Sequence, residues 1–342
     1  MWNDVVAKNL DAELSDVIFG DSPLIHISGG SIPEIFVPYE AQMLTLARSN
    51  TSKLTIREEG EFHLLSLLIA ENPLENLSLQ KLSKLEMLSL KETNLMWLDF
   101  ALWDKMKNLN TLEIFKTLGK LIIKTSSQFS LPNLNRLQIT FCFLDELSFS
   151  GWDVPSLALI DLSNNNLTQL PQDLNSLTSL QEVILESNFI EKLNISDFDG
   201  MKNLYKIVLF NNLITEITVL NSITLPELLK LDLQYNRLED VSILQKINLP
   251  ELQELLLTGN LLHQVPPFSD WPQLAAIDLL ENPLDESWIR QEMVNPETKI
   301  AHLREIRSRY WKPVHISVVI SKKRSDGEGE IDQETSERKF EH

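Results

Sequence analysis

From Leu64 onward one arrangement of apolar and polar positions recurs along the chain. The eleven-residue template LxxLxLxxNxL fits from Leu64, Leu85, Leu109, Leu134, Leu157, Leu180, Leu204, Leu228, Leu252 and Leu274, at intervals of 21 to 25 residues. Its first, fourth and sixth positions are aliphatic in every unit. Alternation at the fourth and sixth positions puts two side chains on one face of a short strand. A single unit cannot bury that face, but stacked units can. The spacing therefore predicts one strand per unit, each pairing with the next in a parallel sheet, with irregular or short helical return segments. Two looser units, Ile25–Ile32 and Leu44–Thr51, precede the regular ones.

The ninth position is Asn72, Asn165, Asn188, Asn212, Asn236, Asn260 and Asn282 in seven units, and Thr93, Thr117 and Cys142 in the others. An amide side chain carries both a donor and an acceptor, so a column of asparagines can bond backbone groups where the strand turns inward. Its expected role is a structural ladder. Pro132, Pro155, Pro226, Pro250 and Pro272 each stand two residues before a unit's first leucine, where they hold the chain extended as it enters the strand.

On these residues the chain resembles the leucine-rich repeat family, in the class of about 24 residues per unit common among extracellular members. The overall pattern is similar to insect immune-type repeat proteins. The resemblance implies an α/β solenoid, a horseshoe with its parallel sheet on the concave face. It also implies a non-enzymatic scaffold for protein recognition, in innate immunity or receptor-like binding. The alternative is a structural or assembly role through the convex face or the tail.

Four regions are expected: an N-terminal cap with degenerate repeats (1–63), the regular repeats (64–284), a C-terminal cap (285–320) and a disordered charged tail (321–342). Val6, Leu10, Leu14 and Val17 suit an acidic amphipathic helix. After the last unit, ENPLDESWIRQEM resembles the opening of the family's C-terminal cap without its cysteines. A helix over Asn295–Trp311 and a strand over Val314–Ile320 would complete the cover. On the return segments, Trp97, Phe100, Trp103 and Met106 read as convex-side core.

Template positions three, five and seven flank the buried aliphatics and point into the hollow of the horseshoe. Ile184, Val208 and Phe210 fall there in adjacent units, with Glu182, Glu186, Asp232 and Gln234 around them. Apolar residues rimmed by charge are the usual anatomy of a protein interface. The strand pattern gives no packing reason for these three, so they are expected to face solvent and to anchor a partner.

The formal net charge of −19 disfavours nucleic acid and anionic lipid; it serves solubility or, where charge selects the partner, favours a basic protein. No stretch is long and apolar enough to span a membrane. The six histidines and the one cysteine lack metal-ligand spacing, and no phosphate loop or nucleophile elbow occurs, so no cofactor, metal or catalytic residue is expected. Cys142 holds a ladder position and is expected to be buried and inert. Sequons at Asn50, Asn76, Asn166 and Asn194 are no more than chance provides. The repeat class favours an extracellular setting. The N-terminal stretch, which does not read as a signal peptide, and the missing disulfides favour a cytoplasmic one.

Overall fold

The computed structural model describes residues 5–11, 22–57, 60–75, 77–124, 127–267 and 271–294. Their main element is a thirteen-stranded sheet whose strands follow one another in chain order, every pair parallel. The strands are β1 (Val5–Asp11), β2 (Leu24–Ser31), β3 (Met43–Ala47), β4 (Ser66–Asn72), β5 (Met87–Thr93), β6 (Thr111–Thr117), β7 (Arg136–Thr140), β8 (Leu159–Asp161), β9 (Glu182–Ile184), β10 (Lys206–Val208), β11 (Lys230–Asp232), β12 (Glu254–Leu256) and β13 (Ala276–Asp278). Sequence neighbours being sheet neighbours throughout is the topology of a solenoid. The looser N-terminal units enter the same sheet as β2 and β3, with Ile25 opposite Leu44.

The aliphatic columns form the core. At the first, fourth and sixth template positions of the ten regular units, no residue exceeds 3% exposure. Burying each such side chain contributes about 1.5–3 kcal/mol. The other wall of the core is the return side. There short parallel pairs stack, such as Trp97–Asp99 with Ile122–Lys124 and Lys192–Asn194 with Glu216–Thr218. Single 3-10 turns stand between them, at Phe100–Trp103, Leu174–Ser176, Ile195–Phe198 and Ser242–Lys246.

An aromatic cluster fills the convex layer: Phe100 and Trp152 (ring centroids 4.6 Å apart), Phe129, Phe149 and Trp103. Phe100, Trp103 and Met106 are buried as expected of convex core, but Trp97 is 41% exposed. It begins a short strand in which Leu98 takes the inward position. Strand alternation therefore turns Trp97 outward, where the Lys124 ammonium lies 5.4 Å from its ring.

The N-terminal helix expectation fails where it can be read. Val5–Asp11 is a strand, paired from Val5 opposite Ile25 to Asp11 opposite Ser31. Val6 and Leu10 stand four apart, a spacing that a period of two accommodates as well as a period of 3.6. The unpaired edge of β2 then decides for the strand. Leu14 and Val17 lie outside the described residues. After β13 the chain forms one helix, α1 (Glu286–Val294), with Trp288 and Ile289 packed against the core. The helix expected over 295–311, the strand over 314–320 and the tail lie outside the described residues.

Candidate partner-binding surface on the sheet

Three parallel rows of side chains cross the open face of the sheet. The fifth template position reads Asp161, Ile184, Val208, Asp232, Leu256 and Asp278 from β8 to β13, each opposite the next in register. Pairing continues past the strands, through Ser187 N–H to Phe210 O (2.9 Å), Asn211 N–H to Gln234 O (2.9 Å) and Tyr235 N–H to Thr258 O (2.7 Å). That keeps the seventh-position row, Glu186, Phe210, Gln234, Thr258 and Leu280, aligned beside the fifth.

The three apolar residues expected in solvent do not all behave alike. Ile184 and Phe210 are half-buried on the open face. Val208 is only 8% exposed. Its registered neighbours Ile184 and Asp232 flank it, so packing within the row, not the core behind the sheet, covers it. The reading of Val208 as a free solvent-facing group is corrected on this point.

Phe210 meets Tyr235 edge to face, with ring centroids 5.2 Å apart and planes at 72°. Tyr235 is 41% exposed. It stands at the eighth template position, which the sequence reading passed over. All ten eighth-position residues, among them Glu71, Lys116, Phe141, Tyr235 and Gly259, adopt positive φ between 51° and 68°. The column turns the chain out of the sheet and lifts its side chains to the rim. With the tenth position it carries further exposed groups, Phe141, Phe143, Phe189 and Leu261. Phe115 touches Phe141 at 5.4 Å and lines a hollow of about 310 Å³ with Lys91, Glu113 and Gln138.

The carboxylates divide into two groups. Glu182 forms an ion pair with Lys206 at 3.0 Å and accepts from the Tyr205 hydroxyl. Burial pushes its carboxyl up, but these partners hold it below the usual range. Glu71 pairs with Arg48 at 2.7 Å, Glu113 with Lys91 at 3.7 Å, Glu92 with Lys116 at 3.4 Å and Glu254 with Lys230 at 3.2 Å. Asp161, Glu186, Asp232, Asp278 and Glu281 have no cationic partner among the described residues. Burial, then Asp161 and Asp232, raises the Glu186 carboxyl. Burial, then Glu281 and Asp278, raises the Tyr235 phenol.

Asp232 also has a local structural role. Its Oδ1 accepts from the Gln234 backbone N–H (3.2 Å) and from Gln234 Nε2 (3.1 Å). Asp161 receives the Ser163 N–H (3.0 Å) and Asp278 the Leu280 N–H (3.0 Å) in the same way. An aspartate at position five thus bonds the backbone two residues on, as such side chains commonly do.

Behind this face the seven asparagines are buried. Asn236 is representative. Its Nδ2 lies 2.9 Å from Leu209 O in the preceding unit and 3.0 Å from Leu233 O in its own, and its Oδ1 accepts from Ile214 N–H at 3.0 Å. The same pattern joins Asn72 to Ser49 and Thr51, and Asn165 to Cys142 and Leu144. Asn188, Asn212, Asn260 and Asn282 repeat it. At the substituted rung, Cys142 Sγ lies 3.2 Å from Thr140 O and 3.7 Å from Ile114 O, the counterparts of two asparagine targets. Burial pushes its thiol up. Among the described residues no group of three or more His, Cys, Asp and Glu is placed to hold a metal ion.

No family model matches the chain and no curated protein does. Solved structures do. The APL1 leucine-rich repeat domain is 20% identical, with 83% of this chain and 88% of that one aligned and a TM-score of 0.54. The LRIM1 leucine-rich repeat domain is 20% identical over 67% of this chain and 70% of that one, with a TM-score of 0.52. A chain of the LRIM1/APL1C complex is 18% identical over 84% of this chain, at a TM-score of 0.49; the alignment spans 63% of that chain. At such identities the likeness is one of fold, and it agrees with the repeat read from the sequence. The chain is a leucine-rich repeat solenoid.

Proposed function

We propose that this solenoid is a non-enzymatic scaffold that binds another protein on the open face of its sheet, over β9 to β11. The carrying observation is the contact of Phe210 with Tyr235 on that face, beside half-buried Ile184. Nothing in the packing of the core requires these rings, and aromatic groups of this kind dominate protein interfaces. Glu186, Asp232 and Gln234 border them as a polar rim. The resemblance to immune-type repeat proteins supports innate immunity or receptor-like recognition as the setting.

Site-specific photocrosslinking tests the reading. A photoreactive residue at Gln234 reports on the open face, and one at Glu216, in a convex strand, reports on the back. In an extract of the source tissue, an adduct is expected from Gln234 and not from Glu216, and Phe210→Ala should abolish it. An adduct from Glu216 that survives Phe210→Ala would move recognition to the convex side.

A further inference from the structure

The charges on the sheet's open face are compensated unevenly. In the N-terminal units the chain supplies its own cations, as in Arg48–Glu71, Lys91–Glu113 and Lys116–Glu92. From β8 to β13 it pairs only the third-position acids, Glu182 and Glu254. The carboxylates at positions five, seven and eight, Asp161, Glu186, Asp232, Asp278 and Glu281, meet no cation among the described residues. They share one stretch of the face: Asp161 and Asp232 stand in register on either side of Ile184 and Val208, and Glu186 precedes Phe210 in its row. Asp232 is only 7% exposed. Like charges gathered on one face and partly out of water favour the arrival of an opposite charge there.

The same patch has an aromatic centre. The edge-to-face contact of Phe210 with Tyr235 fixes the two rings relative to each other, and Gly259 beneath Tyr235 leaves the phenol ring room to lie flat. A purely apolar partner would cover the rings but would also bury the carboxylates without a counter-charge, which is strongly unfavourable. An anionic partner would add to the repulsion. A bare metal ion is disfavoured, because the acids are spread over positions five, seven and eight of several units and form no ligand cluster among the described residues. A second copy of this face would bring charge of the same sign. A lysine or arginine side chain fits all of these conditions. Its alkyl stem covers apolar surface while its head lies over a ring face and between carboxylates.

We propose that the partner delivers a lysine or arginine side chain to the Phe210–Tyr235 pair, between Glu186, Asp232 and Asp278. This rests on the open-face reading above and adds the chemistry of what is received there.

The probes are two labelled pentapeptide amides, Leu-Arg-Leu-Arg-Leu and the same sequence with citrulline for arginine. Citrulline keeps the side chain's length and planar end group but carries a carbonyl oxygen in place of one nitrogen and no charge. Affinities are measured for the wild type, for Glu186→Gln/Asp232→Asn, for Phe210→Ala, and for Glu191→Gln/Glu239→Gln, a control at exposed positions off this face. Asparagine at 232 retains an oxygen for the Gln234 N–H, and thermal melts confirm that each variant is folded. The wild type is expected to prefer the arginine peptide by about tenfold. The Glu186/Asp232 variant should lose most of that preference, while the control stays within about twofold. Equal binding of both peptides, still abolished by Phe210→Ala, would overturn the cationic assignment and leave the open face as the site. An equal loss of preference in the control would reduce the effect to bulk charge and also overturn it. Binding that Phe210→Ala leaves unchanged would overturn both readings.

Discussion

The Phe210 ring meets the Tyr235 ring edge to face across two adjacent repeats, with 5.2 Å between centroids. The first comes from the seventh template position and the second from the eighth. Each ring therefore has two roles, holding its neighbour and presenting apolar surface on the open face. The first prediction separates these roles. Phe210→Ala should cost about 1 kcal/mol of folding stability, the worth of an edge-to-face pair. It should cost a partner complex about 1–3 kcal/mol. Val208→Ala, at a buried position, should lower stability by about 1–2 kcal/mol from the two lost methyls. Denaturant titration gives the ordering. If Phe210→Ala is far more damaging than Val208→Ala, Phe210 is core and not an anchor.

The ladder gives a second prediction. Asn236→Ala removes the amide contacts to Leu209 O and Leu233 O and leaves the buried Ile214 N–H unpaired. The expected loss is about 1–3 kcal/mol of stability, with partner affinity unchanged in the folded fraction. An unshifted denaturation midpoint would mean that the turn finds its bonds elsewhere.

Much of this architecture was legible because the repeat writes its core at fixed offsets. The leucine of position one and the aliphatics of positions four and six are buried in every regular unit, and a period visible ten times over leaves little to tertiary context. The open face was less legible. Val208 and Phe210 are two residues apart in one unit, yet one is covered and the other half-buried, because neighbours in the row decide and they come from other units. The eighth position hid its role for another reason. Positive φ usually announces itself through Gly or Asn, but here Glu, Lys, Phe and Tyr adopt it as well, since the ladder bonds on either side fix the turn. Tyr235 was missed on that account. Val6 and Leu10 misled because a spacing of four serves helix and strand equally.

The third prediction concerns pH. Burial, with Asp161 and Asp232, raises the Glu186 carboxyl in the folded protein. Between the ordinary glutamate value of about 4.3 and the raised one, the folded state holds more protons than the unfolded. The stabilising contribution of this group is thus complete below the ordinary value and lost as pH rises through the folded one. Glu34, Glu71, Asp104 and Asp145 are shifted downward by lysine or arginine neighbours, so their contribution has the opposite sign, present at neutral pH and lost in acid. Glu186→Gln should therefore raise the melting temperature at pH 7, and the gain should shrink toward pH 4. A gain that persists unchanged at pH 4 would show that charge is not its source.

Gly259 gives the last prediction, because two separable effects meet there. Its φ is +68°, in the left-handed region, and a Cβ built on it would lie 2.6 Å from the Tyr235 ring. The neighbouring units show that the φ alone does not demand glycine, since Tyr235 itself and Glu281 take the same conformation at φ 52° and 55°. The backbone part of Gly259→Ala should thus be small, about 1 kcal/mol. The larger part is the collision with a ring that Phe210 already holds from the other side. In the wild-type background the substitution should cost about 2–3 kcal/mol, as overpacking does, and should displace Tyr235 and weaken a complex formed on this face. In a Tyr235→Ala background the collision is gone, and only the backbone cost should remain. A double-mutant cycle on melting and on peptide affinity would then show coupling of about 1–2 kcal/mol. Additive effects would mean that the Tyr235 ring is free to move aside, and that the aromatic pair is not a preformed feature of the surface.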